Sequence, residues 1–389
     1  MKELSHAVLN SKKSKIRKLF DMLLQSGPEA ISFGIGQTDF TTPPFIYDGI
    51  IQALRNQKTL YAPALGIPQL REAVAEKFQK ENHLSWVKPE NIIITNGGSQ
   101  ALTLVFAILS NPGDEMILSS PNFISYYYLA DYFQMKCVEV PRNEDYSPNI
   151  EAIKEKITPK TKFILINSPN NPTGYVYKEE VMKAIVDLVR DNDLYLVSDE
   201  VYEKFLYNQA VHISPASFPG MAERTITLNA LSKSFGATGL RCGYIAASQP
   251  IILNMEKYIQ YTTAGVNHPV QYGAVRALKQ SEKMDFPSIV ERYNHKREFC
   301  IKRLRDLKFE VVEPQGAFYI MPKLNPAWGI TADEFSEELV KEQKVACVSG
   351  TAFGSFSENS LRISYATTDE KLEEGFNRIK KFLKKRNLI

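Results

Sequence analysis

Seven strand-like runs that alternate with helical patterns restrict the fold of this 389-residue chain more than any other feature. The runs are Ile92–Thr95, Glu115–Ser119, Lys136–Val140, Phe163–Ile166, Leu194–Val197, Ile226–Leu228 and Gly243–Ala246. Helical patterns such as 99–109 and 179–190 lie between several of them. Strands that alternate with helices form parallel sheets that are covered on both faces. We therefore predict an α/β fold with a mostly parallel seven-stranded sheet and helices on both faces.

The pattern changes after residue 280, where short strand-like runs and charged helical stretches replace the regular alternation. The predicted elements there are a helix over Phe286–Leu307, strands near Glu310–Val312 and Ala317–Met321, a helix near Thr331–Gln343, a strand at Leu361–Tyr365 and a helix from Asp369. We predict a large domain over residues 46–284 and a smaller α+β domain over residues 285–389. Residues 1–45 contain a helix and the strand-like run Ile31–Ile35, and we expect them to pack with the small domain.

Composition and charge argue against several kinds of protein. The formal net charge of +3 offers no electrostatic case for a nucleic-acid partner. The chain has no apolar run of membrane-spanning length and no signal-peptide pattern. Isolated cysteines and scattered histidines predict a cytoplasmic protein without a metal site. The basic run over residues 12–18 is interpreted as the exposed face of an N-terminal helix.

The segment from Ser232 to Arg241 follows the sixth strand-like run and holds a lysine and an arginine among small residues. A lysine amine with a lowered pKa attacks carbonyl groups to form Schiff bases. A guanidinium is a permanent, forked donor that matches phosphate. A phosphorylated cofactor with a carbonyl group would need both Lys233 and Arg241. The alternative interpretation is a solvated loop with two ordinary cations.

Two further motifs follow predicted strands directly. Gly97-Gly98-Ser99 opens a helix, and backbone N–H groups at a helix N-terminus attract anions. A glycine turn with Ser99 as the N-cap is an equally valid interpretation. Asn171 lies in a rigid turn with two prolines and a glycine. This turn could serve structure alone, although its place after a buried strand favours function.

Asp199 ends an apolar run that we predict to be a central strand, and Tyr202 follows three residues later. Desolvating a carboxylate there costs free energy unless a cation lies close by. The alternative is an aspartate that caps the next segment. Ligands of such sheets bind beyond the carboxyl ends of the strands. We therefore expect these motifs to meet at one edge of the sheet.

Together the motifs resemble class I and II aminotransferases, which are pyridoxal-phosphate enzymes of fold type I. The residues that carry the resemblance are Gly97-Gly98, Asn171-Pro172-Thr173-Gly174, Asp199-Glu200-Val201-Tyr202, Ser232-Lys233 and Gly239-Leu240-Arg241. The chain is most similar to prokaryotic aspartate and aromatic amino acid aminotransferases, judged by Tyr61-Ala62-Pro63 and Gly316-Ala317-Phe318-Tyr319.

The resemblance implies that pyridoxal 5'-phosphate is the cofactor and that Lys233, Asp199 and Tyr202 are catalytic. Lys233 would hold the cofactor aldehyde as a Schiff base and later move the substrate proton. Asp199 would keep the pyridine nitrogen protonated, which makes the ring an electron sink. Asn171 and Tyr202 would hydrogen-bond the 3'-oxygen of the cofactor.

The resemblance also implies a larger group of residues around the cofactor. This group comprises Lys233, Gly97, Gly98, Ser99, Phe123, Asn171, Asp199, Tyr202, Ser232, Arg241 and Tyr61. Phe123 would lie against the ring face, although an aromatic residue also suits the start of a buried helix. Ala230 replaces a hydroxyl residue that is common in the family, so Ser232 is the candidate for the missing hydrogen bond to the phosphate.

Arg362, Gly36 and Asn171 are the residues that the resemblance assigns to the substrate. Arg362 would bind the α-carboxylate in a bidentate manner, and its alternative role is a structural salt bridge. Gly36 would contribute a backbone contact, or merely form a turn. Tyr61 resembles a tyrosine that reaches the phosphate of the neighbouring subunit, which implies a homodimer.

The expected reaction transfers an amino group from an L-amino acid of the aspartate or aromatic class to a 2-oxo acid such as 2-oxoglutarate. The resemblance implies ping-pong kinetics through the Schiff base of Lys233. One alternative on the same fold is a pyridoxal-phosphate-dependent carbon–sulfur β-lyase. A more remote alternative is a non-catalytic sensor, which would need a DNA-binding module that the chain is not expected to contain.

Overall fold

A seven-stranded sheet forms the centre of the protein, whose computed structural model describes residues 15–389. Its strands are β2 (Ile92–Thr95), β3 (Glu115–Ser120), β4 (Lys136–Pro141), β5 (Thr161–Asn167), β6 (Tyr195–Asp199), β7 (Thr225–Ala230) and β8 (Gly243–Ala246). Their spatial order is β2-β8-β7-β6-β5-β3-β4. β8 is antiparallel to both of its neighbours, and the remaining pairs are parallel. The predicted mostly parallel sheet is confirmed.

Helices cover both faces of this sheet. The α-helices of residues 15–389 are α1 (Lys15–Gln25), α2 (Pro44–Arg55), α3 (Pro68–Glu81), α4 (Gly97–Leu109), α5 (Ile124–Tyr132), α6 (Ile150–Lys156), α7 (Glu179–Asp191), α8 (Leu231–Ser234), α9 (Gln249–Thr262), α10 (His268–Lys279), α11 (Phe286–Asp306), α12 (Ala332–Gln343) and α13 (Asp369–Lys385). Ile164 and Ile166 of β5 share an apolar core with α7, whereas Phe163 and Leu165 share another with α4. Side chains of a strand alternate between its faces, so β5 is buried on both sides.

The N-terminal segment joins strands from the C-terminal part of the chain. β1 (Ile31–Ser32) pairs in parallel with β10 (Val345–Ala346). A second small sheet has the order β11-β12-β9 and is antiparallel, with β9 (Tyr319–Ile320), β11 (Val348–Ser349) and β12 (Leu361–Ser364). The β1–β10 pair supports our grouping of residues 1–45 with the small domain. The domain boundaries between residues 45 and 46 and between residues 284 and 285 remain a proposal. Residues 1–14 lie outside the described residues.

Three strand-like runs are shorter than the sequence predicts. Near residues 317–321 only β9 forms, because Ala317 has a φ of 58°, which is incompatible with extended backbone. Near residues 310–312 the structure has an isolated bridge between Glu310 and Lys323 instead of a strand. After β1, the Gly34 carbonyl accepts a hydrogen bond from Arg362 Nη2 at 2.6 Å instead of extending the ladder.

The helix α1 covers one side of the molecule with an apolar face. Leu19 and Leu23 are buried in a core that includes Ala346 and Val348. Arg17 is exposed, as the basic run predicts, while Lys12 and Lys13 lie outside the described residues. No helix in the part of the chain that the structure describes is long and apolar enough to cross a membrane.

Candidate active site

The carboxyl ends of the parallel strands open into a cavity of about 620 Å³. Most of the residues that the sequence singled out line this cavity. They are Gly36, Gly98, Ser99, Phe123, Asn171, Asp199, Tyr202, Ser232, Lys233, Arg241 and Arg362. Gly97 lies directly behind Arg241. Tyr61 lies outside this lining, and its side chain is 90% exposed.

Lys233 lies in the short helix α8, directly after β7. Its Nζ donates a hydrogen bond to the Gly36 carbonyl. Burial and the positive charge of Arg362 lower the pKa of Lys233 to about 8, although the carboxylate of Asp199 acts in the opposite direction. A lysine with this pKa has an appreciable neutral fraction near pH 8, which is the form that attacks carbonyl groups.

Asp199 ends β6 and is buried at the base of the cavity. Tyr126 donates its hydroxyl proton to Oδ2 at 2.7 Å, and the Val201 N–H donates to Oδ1 at 3.2 Å. Burial raises the pKa of Asp199 to about 6, although these two hydrogen bonds act to lower it. Asp199 therefore caps the following segment and also presents a carboxylate that a cation would stabilise.

Tyr126 is a site residue that the sequence did not single out. It belongs to the aromatic run over residues 122–133, most of which forms the helix α5. Phe123 and Tyr126 are the residues of α5 and its N-cap that line the cavity, and their ring centroids lie 5.5 Å apart. Phe123 thus satisfies both interpretations, since it starts a helix and borders the site. The spacing of three residues between the two aromatics was the available signal.

The turn that contains Asn171 ties several parts of the site together. Its N–H donates to Asn167 Oδ1 at 2.7 Å, and Asn167 Nδ2 donates to the Asp199 carbonyl at 3.0 Å. Asn171 Nδ2 lies 3.4 Å from the Tyr202 hydroxyl. Asn171 Oδ1 accepts from Arg362 Nη1 at 3.1 Å. Both ends of this amide therefore contact predicted functional residues.

Arg362 is buried in β12, with 3% of its surface exposed. Its guanidinium carbon lies 4.6 Å from the ring centroid of Tyr319 and 4.9 Å from that of Phe353. Among residues 15–389 its hydrogen-bond partners are the Asn171 amide and the Gly34 carbonyl, and Nε has none. Within the described residues Arg362 therefore forms no salt bridge, contrary to its alternative role. A buried guanidinium with an unpaired donor suits an incoming carboxylate.

Gly36 lies where two parts of the site approach closely. A Cβ atom at this position would lie 2.6 Å from the Tyr319 hydroxyl oxygen, a distance that forces a shift. The carbonyl of Gly36 accepts the hydrogen bond from Lys233. Glycine is therefore required by the packing and is more than a turn residue.

The other end of the cavity brings a helix N-terminus next to a guanidinium. The N-cap position of α4 is Asn96, so Ser99 lies in the first turn and its interpretation as the N-cap is wrong. Arg241 Nη2 donates to Ser99 Oγ at 3.3 Å. A Cβ on Gly97 would lie 2.8 Å from that Nη2. Arg241 has a φ of 51°, which costs about 1 kcal/mol or more for a non-glycine residue. This arrangement suits an anion.

Behind Asp199 lies a buried ion-pair network. The sequence predicted no metal site, yet the fold brings ligand atoms of Glu200, Glu203 and His212 within 4.8 Å of one another. Lys77 Nζ forms an ion pair with Glu203. Asn82 Nδ2 donates to Glu200 at 3.0 Å and to Glu203 at 2.8 Å. Burial acts to raise the pKa of Glu203, but Lys77 and His212 outweigh it and lower the pKa to about 2. Lys77 thus contributes a buried positive charge to this cluster.

The sequence model of the family described as aminotransferase class I and II matches residues 28–379. The chain therefore belongs to the class I and II aminotransferases and is an enzyme that transfers an amino group. Members of this family generally depend on pyridoxal phosphate. The resemblance predicted from the motifs is confirmed. The β-lyase and sensor alternatives receive no support from these comparisons.

Two named relatives and one solved structure show the degree of sequence and structural similarity. The chain is 40% identical to an aspartate aminotransferase of Pyrococcus abyssi, covering 96% of this chain and 97% of the relative. It is also 40% identical to aromatic-amino-acid aminotransferase 2 of Thermococcus litoralis, covering 97% of each. A solved aspartate aminotransferase of Thermus thermophilus with maleate is 36% identical, covers 98% of this chain and 100% of that chain, and has a TM-score of 0.93.

Proposed function

We propose that this aminotransferase binds pyridoxal 5'-phosphate in the cavity, held by Lys233 between Asp199 and Arg241. The observation that carries the proposal is the convergence of an amine, a buried carboxylate and a guanidinium on one cavity. The unpaired Nε of Arg362, within the described part of the chain, adds a place for a substrate anion. Bound pyridoxal phosphate would supply an aldehyde and a protonated ring that withdraws electrons.

Each residue near the ring has a distinct task in this proposal. Lys233 would hold the cofactor through its Nζ and, once the substrate amine has displaced it, would accept the α-proton, which the lowered pKa of its amine favours. The Asp199 carboxylate would stabilise a proton on the ring nitrogen, and Tyr126 orients that carboxylate. Asn171 and Tyr202 would donate hydrogen bonds to the 3'-oxygen. Catalysis is thus assigned to Lys233, Asp199 and Tyr202.

Two anion sites flank the ring in this proposal. The first binds the phosphate through Arg241, Ser232 and the backbone N–H groups of α4 after Gly97, namely those of Gly98 and Ser99. Phe123, which lines the cavity, would lie against the ring face. The second binds the α-carboxylate of the substrate through Arg362, Gly36 and Asn171.

We propose an amino acid of the aspartate or aromatic class as the donor and a 2-oxo acid such as 2-oxoglutarate as the acceptor, with ping-pong kinetics. The named relatives include aspartate and aromatic aminotransferases. The cavity wall supports both classes, since it contains the cation Arg17 beside the apolar side chains of Leu19, Ile35 and Val348. Arg17 was interpreted from sequence as part of an exposed helix face, and the fold places it at the cavity as well.

Single half-reactions of the wild type and of Arg17→Gln distinguish the two substrate classes. We expect the wild type to convert its bound cofactor with aspartate and with phenylalanine, and to form one oxo acid per amino acid consumed. In the variant the half-saturating aspartate concentration should rise about 10-fold, which corresponds to loss of one charge-assisted hydrogen bond. Phenylalanine serves as the internal control and should be unaffected. An equal rise in the half-saturating concentration of both substrates would show that Arg17 does not select the substrate. Release of pyruvate and ammonia from a cysteine conjugate would favour the β-lyase.

We also propose a homodimer in which Tyr61 serves the phosphate site of the partner subunit. Several large apolar residues of the protomer are exposed, with Leu60 at 80% and Tyr61 and Tyr261 at 90%. Ile51 and Leu54 of α2 are also exposed by about half of their surface. Soluble monomers rarely expose large apolar patches, so a second copy of this chain would bury this surface.

Mixed dimers of Tyr61→Ala and Lys233→Ala protomers test this assignment. Each parent dimer should have low activity, because one lacks a phosphate ligand and the other lacks the catalytic amine. The mixed dimer contains one site with Lys233 and the partner's Tyr61 both intact, so activity should return. Tyr261→Ala, which removes an equally exposed tyrosine without a proposed role at the phosphate, is the control, and its homodimer should be more active than that of Tyr61→Ala. Failure of the mixture to recover activity would show that Tyr61 does not act across the subunits.

We propose a cytoplasmic location for the protein. The four cysteines, Cys137, Cys242, Cys300 and Cys347, are unpaired, which is typical of reducing compartments. Cell fractionation followed by immunodetection tests this location. The proposed partners are the small-molecule amino acid and oxo acid and a second copy of the chain, without nucleic acid or membrane.

A further inference from the structure

Tyr319 occupies a position between two functional parts of the site. It lies in β9, is 1% exposed and lines the cavity. Its hydroxyl oxygen is 3.0 Å from the Tyr202 hydroxyl oxygen. The face of its ring lies against the guanidinium of Arg362, whose central carbon is 4.6 Å from the ring centroid. Tyr319 therefore contacts the residue proposed to bind the substrate carboxylate and a residue proposed to bind the cofactor.

These contacts close a ring of four side chains. Arg362 Nη1 donates to Asn171 Oδ1 at 3.1 Å, and Asn171 Nδ2 lies 3.4 Å from the Tyr202 hydroxyl. Tyr319 completes the ring with its shorter 3.0 Å contact to Tyr202 and its stacking on Arg362. The carboxylate-binding arginine thus reaches Tyr202 by two routes. The route through Tyr319 has the better hydrogen-bond distance.

The hydroxyl pair has a defined direction once the cofactor is bound. Burial raises the pKa of Tyr202 well above its usual value and raises that of Tyr319 as well, so both hydroxyls keep their protons. A hydroxyl has one proton to donate and can still accept. If Tyr202 donates to the 3'-oxygen of the cofactor, Tyr319 becomes the donor to Tyr202. A donated hydrogen bond polarises the acceptor and strengthens its own donation.

We propose that Tyr319 is a positioning residue that transmits the state of Arg362 through Tyr202 and thereby tunes protonation at the Lys233 nitrogen. The inference rests on the proposed function, because it requires the cofactor to be attached at Lys233. A stronger hydrogen bond from Tyr202 stabilises negative charge on the 3'-oxygen. The neighbouring nitrogen of Lys233 would then lose its proton more easily, so its pKa would be lower. Binding of a carboxylate at Arg362 would change this pKa.

The groups that face Lys233 come from several elements, and the variant Tyr319→Phe leaves all the charged ones in place. Arg362 and Arg241 lower the pKa of the lysine and Asp199 raises it, while burial has the largest effect and lowers it. Tyr202 lies beside the amine, with its ring centroid 5.8 Å from Nζ. The substitution removes one hydroxyl and keeps the ring that stacks on Arg362. A changed pKa at the Lys233 nitrogen would therefore report on the hydroxyl.

The experiment is a spectrophotometric pH titration of the pyridoxal-phosphate-loaded enzyme, which needs no turnover. In Tyr319→Phe we expect the pKa of the Lys233–cofactor chromophore to rise by about 0.5 to 1, the worth of one neutral hydrogen bond. Maleate, a non-reacting dicarboxylate, should raise the wild-type pKa because it offsets the positive charge of Arg362. The rise should be smaller in the variant.

Tyr365→Phe is the matched control, since it removes another fully buried hydroxyl that bonds to the Ala317 carbonyl outside the cavity lining. Its chromophore pKa should equal that of the wild type. An unchanged pKa and an unchanged maleate response in Tyr319→Phe would overturn the inference while the proposed function stands. A wild type that forms no chromophore would instead overturn the proposed function itself.

Discussion

Lys233→Ala is expected to lower kcat/KM for amino transfer by at least about 10⁴-fold, because it would remove both the proposed covalent attachment point and the group proposed to move the α-proton. Lys233 is the amine that the cavity holds next to Gly36, with its pKa lowered to about 8. Within the described residues, no other lysine lines the cavity that could take its place. The measurement is multiple-turnover transfer from aspartate to 2-oxoglutarate at saturating cofactor.

Two controls make this result specific to position 233. Lys178→Ala removes an exposed lysine at the start of α7 and should leave turnover unchanged. Borohydride treatment of the loaded wild type should fix the cofactor to the peptide that contains Lys233, and the variant should yield no such adduct. Sustained turnover by Lys233→Ala would contradict the assignment of the catalytic amine.

Lys77→Met is expected to lower the free energy of unfolding by about 3 to 5 kcal/mol at pH 7. The side chains of Lys77 and Glu203 are each 6% exposed, so the variant leaves a buried carboxylate without its cation. Methionine keeps most of the volume of lysine, which limits any cavity contribution. Urea unfolding at equal protein concentration measures the change, since the stability of the proposed homodimer would depend on concentration.

The stability that this ion pair contributes depends on pH. The pKa of Glu203 is about 2 in the folded protein against an ordinary value of 4.5, so its carboxylate is stabilised by folding. That stabilisation, about 3 kcal/mol at 1.36 kcal/mol per pKa unit, is present above pH 4.5 and is lost as the pH falls toward 2. The wild type's advantage over Lys77→Met should therefore shrink below pH 4.5.

The double variant Lys77→Met with Glu203→Gln is the matched control. Neutralising Glu203 removes the unpaired charge, so the double variant should recover part of the lost stability. Equal stability of Lys77→Met and the wild type at pH 7 would show that this buried ion pair contributes little.

Much of the fold follows from local patterns of apolar and polar residues in the sequence. All seven strands of the central sheet were placed within about two residues, because apolar runs such as Leu194–Val197 are short and bounded by turn residues. Helices were predicted over residues 99–109, 179–190, 286–307 and 331–343 from apolar residues at helical spacing, and all four form. The failures are short strands. Ala317 adopts a left-handed conformation that no local propensity signals.

The site was predictable where a residue type and its place after a strand coincide. Lys233 and Asp199 meet these conditions, whereas Arg362 stood out as an arginine within a strand-like run, and the fold brings all three to one cavity. Tyr126 and Arg17 do not, because their contacts depend on how separate elements pack. The same holds for Lys77, which pairs with Glu203 from a helix far away in sequence. Contacts between distant segments are set by the tertiary fold, so sequence periodicity cannot locate them.

The pairing of β1 with β10 has a consequence for the order in which the protein can mature on the ribosome. Ile31 needs Val345 as its partner, so the cover that α1 and β1 place over the cavity waits for the last part of the chain to be synthesised. The central sheet is complete at Ala246 and can form earlier. A nascent chain should therefore pass through a stage in which the crevice at the ends of the strands is assembled but still open to solvent and to small molecules.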